Sequence, residues 1–236
     1  LLLRSVDYGE ADRVLTLLTR SEGKVSVLAK GARRSKRRFA GALEPFSILR
    51  VEVAAGRSGL ARLESATIAR AFPKLLGDLS RMTTAGALLG LVRELSVEAV
   101  ADPEVFDDVV TLLEALDARE LSESALAVCF QLQLLSRAGF SPRLDACGSC
   151  GKRPEPGRAT DFDARRGYIV CQSCGGGAYR LRATAREAWQ LASDGDFQAA
   201  AARDWTPEDL ELGARALEVF VAHRLEREAP RVRGKR

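Results

Sequence analysis

The chain has 236 residues, 46% hydrophobic and 29% charged, with a formal net charge of +4. That composition excludes collagen-like, low-complexity and intrinsically disordered classes and fits a soluble globular protein with room for more than one domain. No signal peptide and no apolar run long enough to span a bilayer is present, so a cytoplasmic protein is expected. The chain opens Leu-Leu-Leu without a methionine, and a few native residues are expected to precede it.

The charge is unevenly distributed. Residues 1–70 carry 14 Lys/Arg against 7 Asp/Glu, and residues 71–141 carry 5 against 11. Residues 142–181 carry 7 against 4, and residues 182–236 carry 10 of each. A basic first segment followed by an acidic one predicts an anionic partner for the first.

The first 70 residues read as strands. Leu1 to Val6 is a short apolar run, followed by a turn over 7–12. The stretch 13–19 is rich in strand formers, and after Ser21-Glu22-Gly23 the run 24–29 begins with alternation. The runs 48–53 and 63–68 follow, separated by Gly56 and Gly59. Five short strands predict a small five-stranded barrel, because closure removes sheet edges.

From Phe72 the period becomes helical through Leu75, Leu76, Leu79, Met82, Leu88, Leu89, Val92 and Leu95. Asp102-Pro103 is a helix start, with Asp as N-cap and Pro at the first position. A third helix is predicted over 122–137, ending at Gly139, and the three helices are expected to share one bundle. After a Gly- and Arg-rich stretch, Thr184-Ala185-Arg186-Glu187 matches the capping box. Thr206-Pro207-Glu208 opens a last helix, whose apolar residues return to the bundle. No internal repeat is present; the tail 229–236 is basic, and its residues 231–236 are expected to be disordered.

Cys147, Cys150, Cys171 and Cys174 form two C-x-x-C pairs separated by 20 residues. Two such turns aim four sulfurs at one point and suit tetrahedral Zn²⁺, with a Gly after each second Cys to turn the backbone over the metal. In a reducing compartment metal is favoured over two disulfides, and iron is the other alternative. Four thiolates leave no open coordination position, so the expected zinc is structural. Cys129 lies in an apolar helical run and is expected to be buried and inert.

The loop 30–38 places Lys30, Arg33, Arg34, Lys36, Arg37 and Arg38 in nine residues, just before Phe39. Gly/Ser-spaced cations of this kind reach successive backbone phosphates, and a nearby aromatic can stack on a base. Tyr8 and Phe46 are further aromatic candidates, Arg50 and Arg57 further cations, and Phe39 can equally be a plug under the barrel. These six cations and Phe39 are the candidate nucleic-acid contacts.

Enzymatic chemistry is sparse. The single histidine, His223, sits late in a helix, where a surface role is expected rather than general base catalysis. No P-loop and no zinc deaminase pattern occurs. Asp7, Glu10 and Asp12 could in principle hold Mg²⁺, as in a nuclease, but a polar hairpin turn explains them better.

The segment 4–12, Gly23-Lys24, the run 30–34, Leu43-Glu44-Pro45-Phe46, Gly139-Phe140-Ser141-Pro142 and the four cysteines together resemble the bacterial recombination-mediator family RecO. The resemblance covers nearly the whole chain in consistent order. It implies an α+β multidomain protein with an N-terminal five-stranded OB-type β-barrel, an α-helical domain and a zinc-ribbon-like module. The expected segments are 1–70 for the OB-fold, 71–142 for the first part of the helical domain and 143–181 for the zinc module. Residues 182–228 form the C-terminal helical part, and 229–236 the tail. The resemblance also implies a non-enzymatic mediator that binds single- and double-stranded DNA and anneals complementary strands. It implies help for the recombinase in replacing single-strand-binding protein, partnership with RecR, and a pocket for the acidic tail of single-strand-binding protein. The alternative is a zinc-containing protein–protein adaptor whose basic loop is incidental.

Overall fold

The computed structural model describes residues 1–35, 38–39, 41–56 and 60–228, excluding the side chains of 226–228. The chain divides into two compact units, Leu1–Glu120 and Leu121–Arg236.

The first unit is built on five strands: β1 (Leu2–Tyr8), β2 (Asp12–Thr19), β3 (Gly23–Ala29), β4 (Ser47–Ala54) and β5 (Ala61–Ala71). Their order is β1-β2-β3-β5-β4, with a parallel β3–β5 pairing and antiparallel pairings elsewhere. Period-2 burial places Leu15, Leu17, Val27, Ala29, Leu63 and Ala66 in one core. Leu18, on the other face of β2, is buried too, because α3 packs on that strand.

The expected hydrogen-bonded closure of a barrel is not found. Among the described residues, no ladder joins β1 to β4, and the sheet is an open mixed one. The β3–β4 loop contributes Phe39, Ala42 and Leu43 to the core instead, and its backbone is pinned to β5 by Ala66 N–H donating to Arg38 O at 3.0 Å. Apolar loop side chains thus do part of the covering that the sequence pattern assigned to strand pairing.

Helices α1 (Pro73–Leu76), α2 (Leu79–Leu95) and α3 (Pro103–Ala118) complete this unit. The helical run expected from Phe72 breaks at Gly77, and Asp78 starts α2 by accepting Arg81 N–H at 3.3 Å. Asp102 caps α3 by accepting Val105 N–H at 3.0 Å, with Pro103 behind it as expected. Arg20 forks onto Asp107 with two 3.0 Å bonds, fastening the β2–β3 turn to α3. Gly23 lies against the 96–101 connection: with φ +67° and a Cβ site 1.8 Å from Val100 O, no other residue fits there.

The second unit surrounds α4 (Glu123–Arg137), capped by Ser122. A small sheet follows, β6 (Thr160–Asp163), β7 (Tyr168–Val170) and β8 (Tyr179–Leu181), in the order β7-β6-β8. Then come α5 (Ala183–Ser193), α6 (Phe197–Ala201) and α7 (Pro207–Glu228). Phe162 on β6 meets Trp189 of α5 at 5.3 Å and Phe220 of α7 at 6.1 Å between ring centroids. That aromatic cluster holds the sheet on the helices.

The division between units runs through the stretch 71–142 rather than around it. The three helices expected to share a bundle are split: α2 and α3 belong to the first unit, whereas α4 packs with α5, α6 and α7. Helix α4 is apolar on nearly every side, with nine buried residues, so it serves as the central helix of its unit. Another expectation changes at α5. Thr184 does not cap it, because the helix starts at Ala183 and Arg182 takes the cap position without a side-chain cap. Arg182 is held by Asp209, itself part of a reciprocal box with Thr206 that opens α7. Among the described residues, no helix is long and apolar enough to cross a membrane.

Candidate metal centre and nucleic-acid interface

The four sulfurs of Cys147, Cys150, Cys171 and Cys174 lie within 4.8 Å of one another, the only such cluster of potential metal ligands among the described residues. Strand β7 organises both turns. The approach to the first pair is strapped along β7: Arg143 N–H donates to Gly167 O, Ile169 N–H to Arg143 O, and Gly148 N–H to Ile169 O, at 2.9, 3.0 and 2.9 Å. The second pair follows β7 directly in a 3₁₀ turn over Gln172–Cys174. Gly151 and Gly175 adopt φ +74° and +100°, the left-handed conformation that folds each turn back behind its second Cys.

Cys150 and Cys171 sulfurs are 3.7 Å apart. Bonds of 2.3 Å to a tetrahedral ion give an S···S edge of about 3.8 Å, so the set has the right size for one metal. Backbone N–H donors from Cys171, Cys150 and Ser149 pull the Cys147 thiol down to about 6. The Cys174 thiol is pushed up to about 12, chiefly by hydrogen bonds to the Cys171 and Cys150 sulfurs, which favour its protonated form. Four thiolates at this spacing repel one another, and a bound cation removes that conflict. Behind them, the buried Asp161 accepts from Gln172 Nε2 and, at 2.9 Å, from Arg180 Nη1, orienting the second turn from β6 and β8.

The basic loop is seated on the first hairpin. Strand β1 runs on to Tyr8, and the turn expected over 7–12 is only 9–11. Gly31 N–H donates to Asp12 Oδ1 at 2.7 Å, and Arg33 N–H to Ala11 O at 3.0 Å. Arg33 Nη1 donates to Glu10 O at 3.4 Å, and its Nε lies 3.8 Å from Asp7 Oδ2. Arg34 faces Glu10 at 3.9 Å. Arg38 donates to Lys30 O at 2.5 Å. Lys30, Arg33, Arg34 and Arg38 are all exposed, while Lys36, Arg37 and Arg57 lie outside the described residues, as does the tail 229–236.

Phe39 does not offer a ring to a base. It is 2% exposed, among Leu2, Leu15 and Leu63, with the Arg38 guanidinium 5.0 Å from its centroid. The apolar core outcompetes a stacking role for this side chain. Phe46 is buried as well, whereas Tyr8, at the first hairpin, is 61% exposed. Sequence reading passed over Arg4 and Arg13. They line a groove of about 490 Å³ with Leu2, Ser5 and Glu44, and Arg13 Nε is 3.2 Å from Asp7 Oδ1. The β1–β2 register, Asp7 opposite Arg13, was the signal that could have found this pair. Asp7, Glu10 and Asp12 do not converge as a metal site: Asp7 and Glu10 face arginines, and Asp12 accepts a backbone N–H.

Two family models divide the chain between them: Recombination protein O N terminal matches residues 1–72, and Recombination protein O C terminal matches residues 76–233. The chain belongs to the RecO family. Members are non-enzymatic recombination mediators. Similar proteins include the DNA repair protein RecO of Anaeromyxobacter sp. (strain K), 44% identical over 96% of this chain and 90% of that one. The RecO of Myxococcus xanthus is 42% identical over 96% and 91%. That of Desulfatibacillum aliphaticivorans is 32% identical over 98% and 93%.

Proposed function

We propose that this RecO-family chain works in DNA repair and recombination as a mediator. It binds single- and double-stranded DNA, anneals complementary strands and helps load the recombinase onto DNA coated with single-strand-binding protein. The observation that carries the DNA contact is the seat of Lys30, Arg33, Arg34 and Arg38, four exposed cations held by backbone and side-chain bonds on one rim of the five-stranded sheet. A fixed row of cations displaces condensed counterions from successive phosphates. Strand order β1-β2-β3-β5-β4 supports an OB-type reading of this unit. Lys36 and Arg37, in the same loop in sequence, belong to the proposed DNA contact. On the family's pattern the partners are RecR and the tail of single-strand-binding protein, in the cytoplasm with the nucleoid.

In this reading the four-cysteine centre holds Zn²⁺. A soft tetrathiolate set suits zinc, and with four protein ligands the ion is structural. Its contribution is to fix the turns around β7, leaving the DNA contact to the other unit.

Salt titration of single-strand binding tests the loop assignment. Replacing Arg33, Arg34 and Arg38 together by Ala is expected to weaken oligo-dT binding at least tenfold near 50 mM salt. The log–log salt slope should flatten by about 2, or about 0.7 per lost contact. Unchanged affinity and slope in a folded variant would remove the loop from the interface.

A further inference from the structure

Within the proposed DNA-binding reading, one arrangement has a function that the cations alone do not explain. Asp7 is shared between Arg13 on β2 and Arg33 on the loop, at 3.2 and 3.8 Å. Glu10, 95% exposed, faces Arg34, 73% exposed, at 3.9 Å. Two of the four described loop cations therefore already face carboxylates, and both carboxylates come from one hairpin. Lys30 and Arg38 face no carboxylate among the described residues. The loop does not need Asp7 or Glu10 to keep its position. Backbone bonds from Gly31 and Arg33 to Asp12 and Ala11 hold it on the same hairpin.

We infer that Asp7 and Glu10 are built-in counter-anions, occupying the positions where DNA phosphates would meet Arg33, Arg34 and Arg13. An incoming strand must exchange places with them. Exchange is feasible because both pairs are surface pairs, each weak and screened by salt. A polyanion able to place several phosphates along the whole row displaces both carboxylates at once, whereas a single small anion gains little by displacing one. The hairpin thereby lowers affinity for scattered anions more than for a continuous strand. Asp7 also stands between the loop cations and Arg13 in the groove that reaches Arg4, so its displacement would join two basic surfaces into one track.

The test is a binding titration with fluorescent oligo-dT on the full chain, comparing Glu10→Gln, Asp7→Asn, the double variant, and each in an Arg33→Ala/Arg34→Ala background. Neutralisation is expected to tighten binding about 1.5- to 5-fold per carboxylate at low salt, the range of an exposed ion pair. The salt slope should steepen by about 0.7 for each released cation. In the double-alanine background, Glu10→Gln should have no effect, and Asp7→Asn should keep only the part that acts through Arg13. Glu10 touches nothing in the core, so Glu10→Gln remains informative should Asp7→Asn disturb the hairpin. Equal or weaker binding by folded Glu10→Gln, while Arg33→Ala/Arg34→Ala still impairs the parent, would overturn the counter-anion role alone. If Arg33→Ala/Arg34→Ala has no effect on the parent, the loop assignment itself fails.

Discussion

At the four-cysteine centre, backbone bonds along β7 position the turns that carry the sulfurs; at the 30–38 loop, backbone bonds hold the turn, but the guanidinium groups face surface carboxylates. The first arrangement converges four ligands within 4.8 Å of one another. The second leaves Arg34 73% exposed and its partner Glu10 95% exposed, so partners can be traded. A converging set suits a permanent ligand, and an open row suits a ligand that comes and goes. The two regions also lie in different compact units, so each can be disturbed separately.

The largest disturbance is expected at the proposed zinc centre. Structural zinc contributes about 10–16 kcal/mol of apparent folding energy in small zinc-dependent peptides. Cys147→Ser is expected to abolish bound metal and to lower or erase the thermal transition of the second unit, read by metal analysis and calorimetry. Oligo-dT binding by the loop should remain. Loss of binding with the first unit still folded would break the separation between the two regions.

Next in size is Phe39, at the point where sequence reading left two roles open. Phe39→Ala removes a buried ring from the core of the first unit and should cost about 3–5 kcal/mol in denaturant unfolding. Phe39→Leu, which keeps the space partly filled, should retain single-strand affinity. A core residue behaves that way, whereas a stacking residue would lose binding in both variants. A fall in affinity for folded Phe39→Leu would restore the ring to the interface.

Much of the framework was legible because its signals are local. The runs 13–19, 24–29, 48–53 and 63–68 all lie within observed strands, and Asp102, Ser122 and Thr206 stand at the helix starts they predicted. The spacing of the cysteines carried the convergence of the sulfurs. What was not legible depends on partners distant in sequence. Phe39 went to the core because the strands around it left an apolar gap. Arg33 found Asp7 only once the hairpin register existed, 26 positions away in the chain. The cap at Thr184 failed because Arg182, two residues earlier, is anchored by Asp209, 27 residues on. Helix α4 could not be assigned to a unit by periodicity, since an all-round apolar helix points to no single neighbour.

The Arg182–Asp209 pair sharpens the comparison at its smallest scale, because its carboxylate is buried whereas those at the hairpin are exposed. Asp209 is 7% exposed, its two oxygens meet Arg182 Nε at 2.9 and 3.0 Å, and one oxygen also accepts Thr206 N–H at 3.0 Å. Hydrogen bonding from Arg182 outweighs the opposing effect of burial and holds the Asp209 carboxyl below its usual range. A depressed carboxylate contributes stability above its unfolded value, about 3.9, and loses that contribution as pH falls through the folded value. Asp209→Asn should therefore destabilise the second unit by about 1–2 kcal/mol near neutral pH, the scale of a helix cap with a charged partner. The difference from the parent should shrink steadily below about pH 4, read as converging denaturant midpoints. Glu10→Gln, at an exposed pair, should leave the unfolding midpoint of its own unit nearly unchanged at either pH. A pH-independent gap between Asp209→Asn and the parent would mean that the side chain acts through shape rather than charge. The Arg182–Asp209 pair would then no longer stand as the permanent counterpart to the exchangeable one.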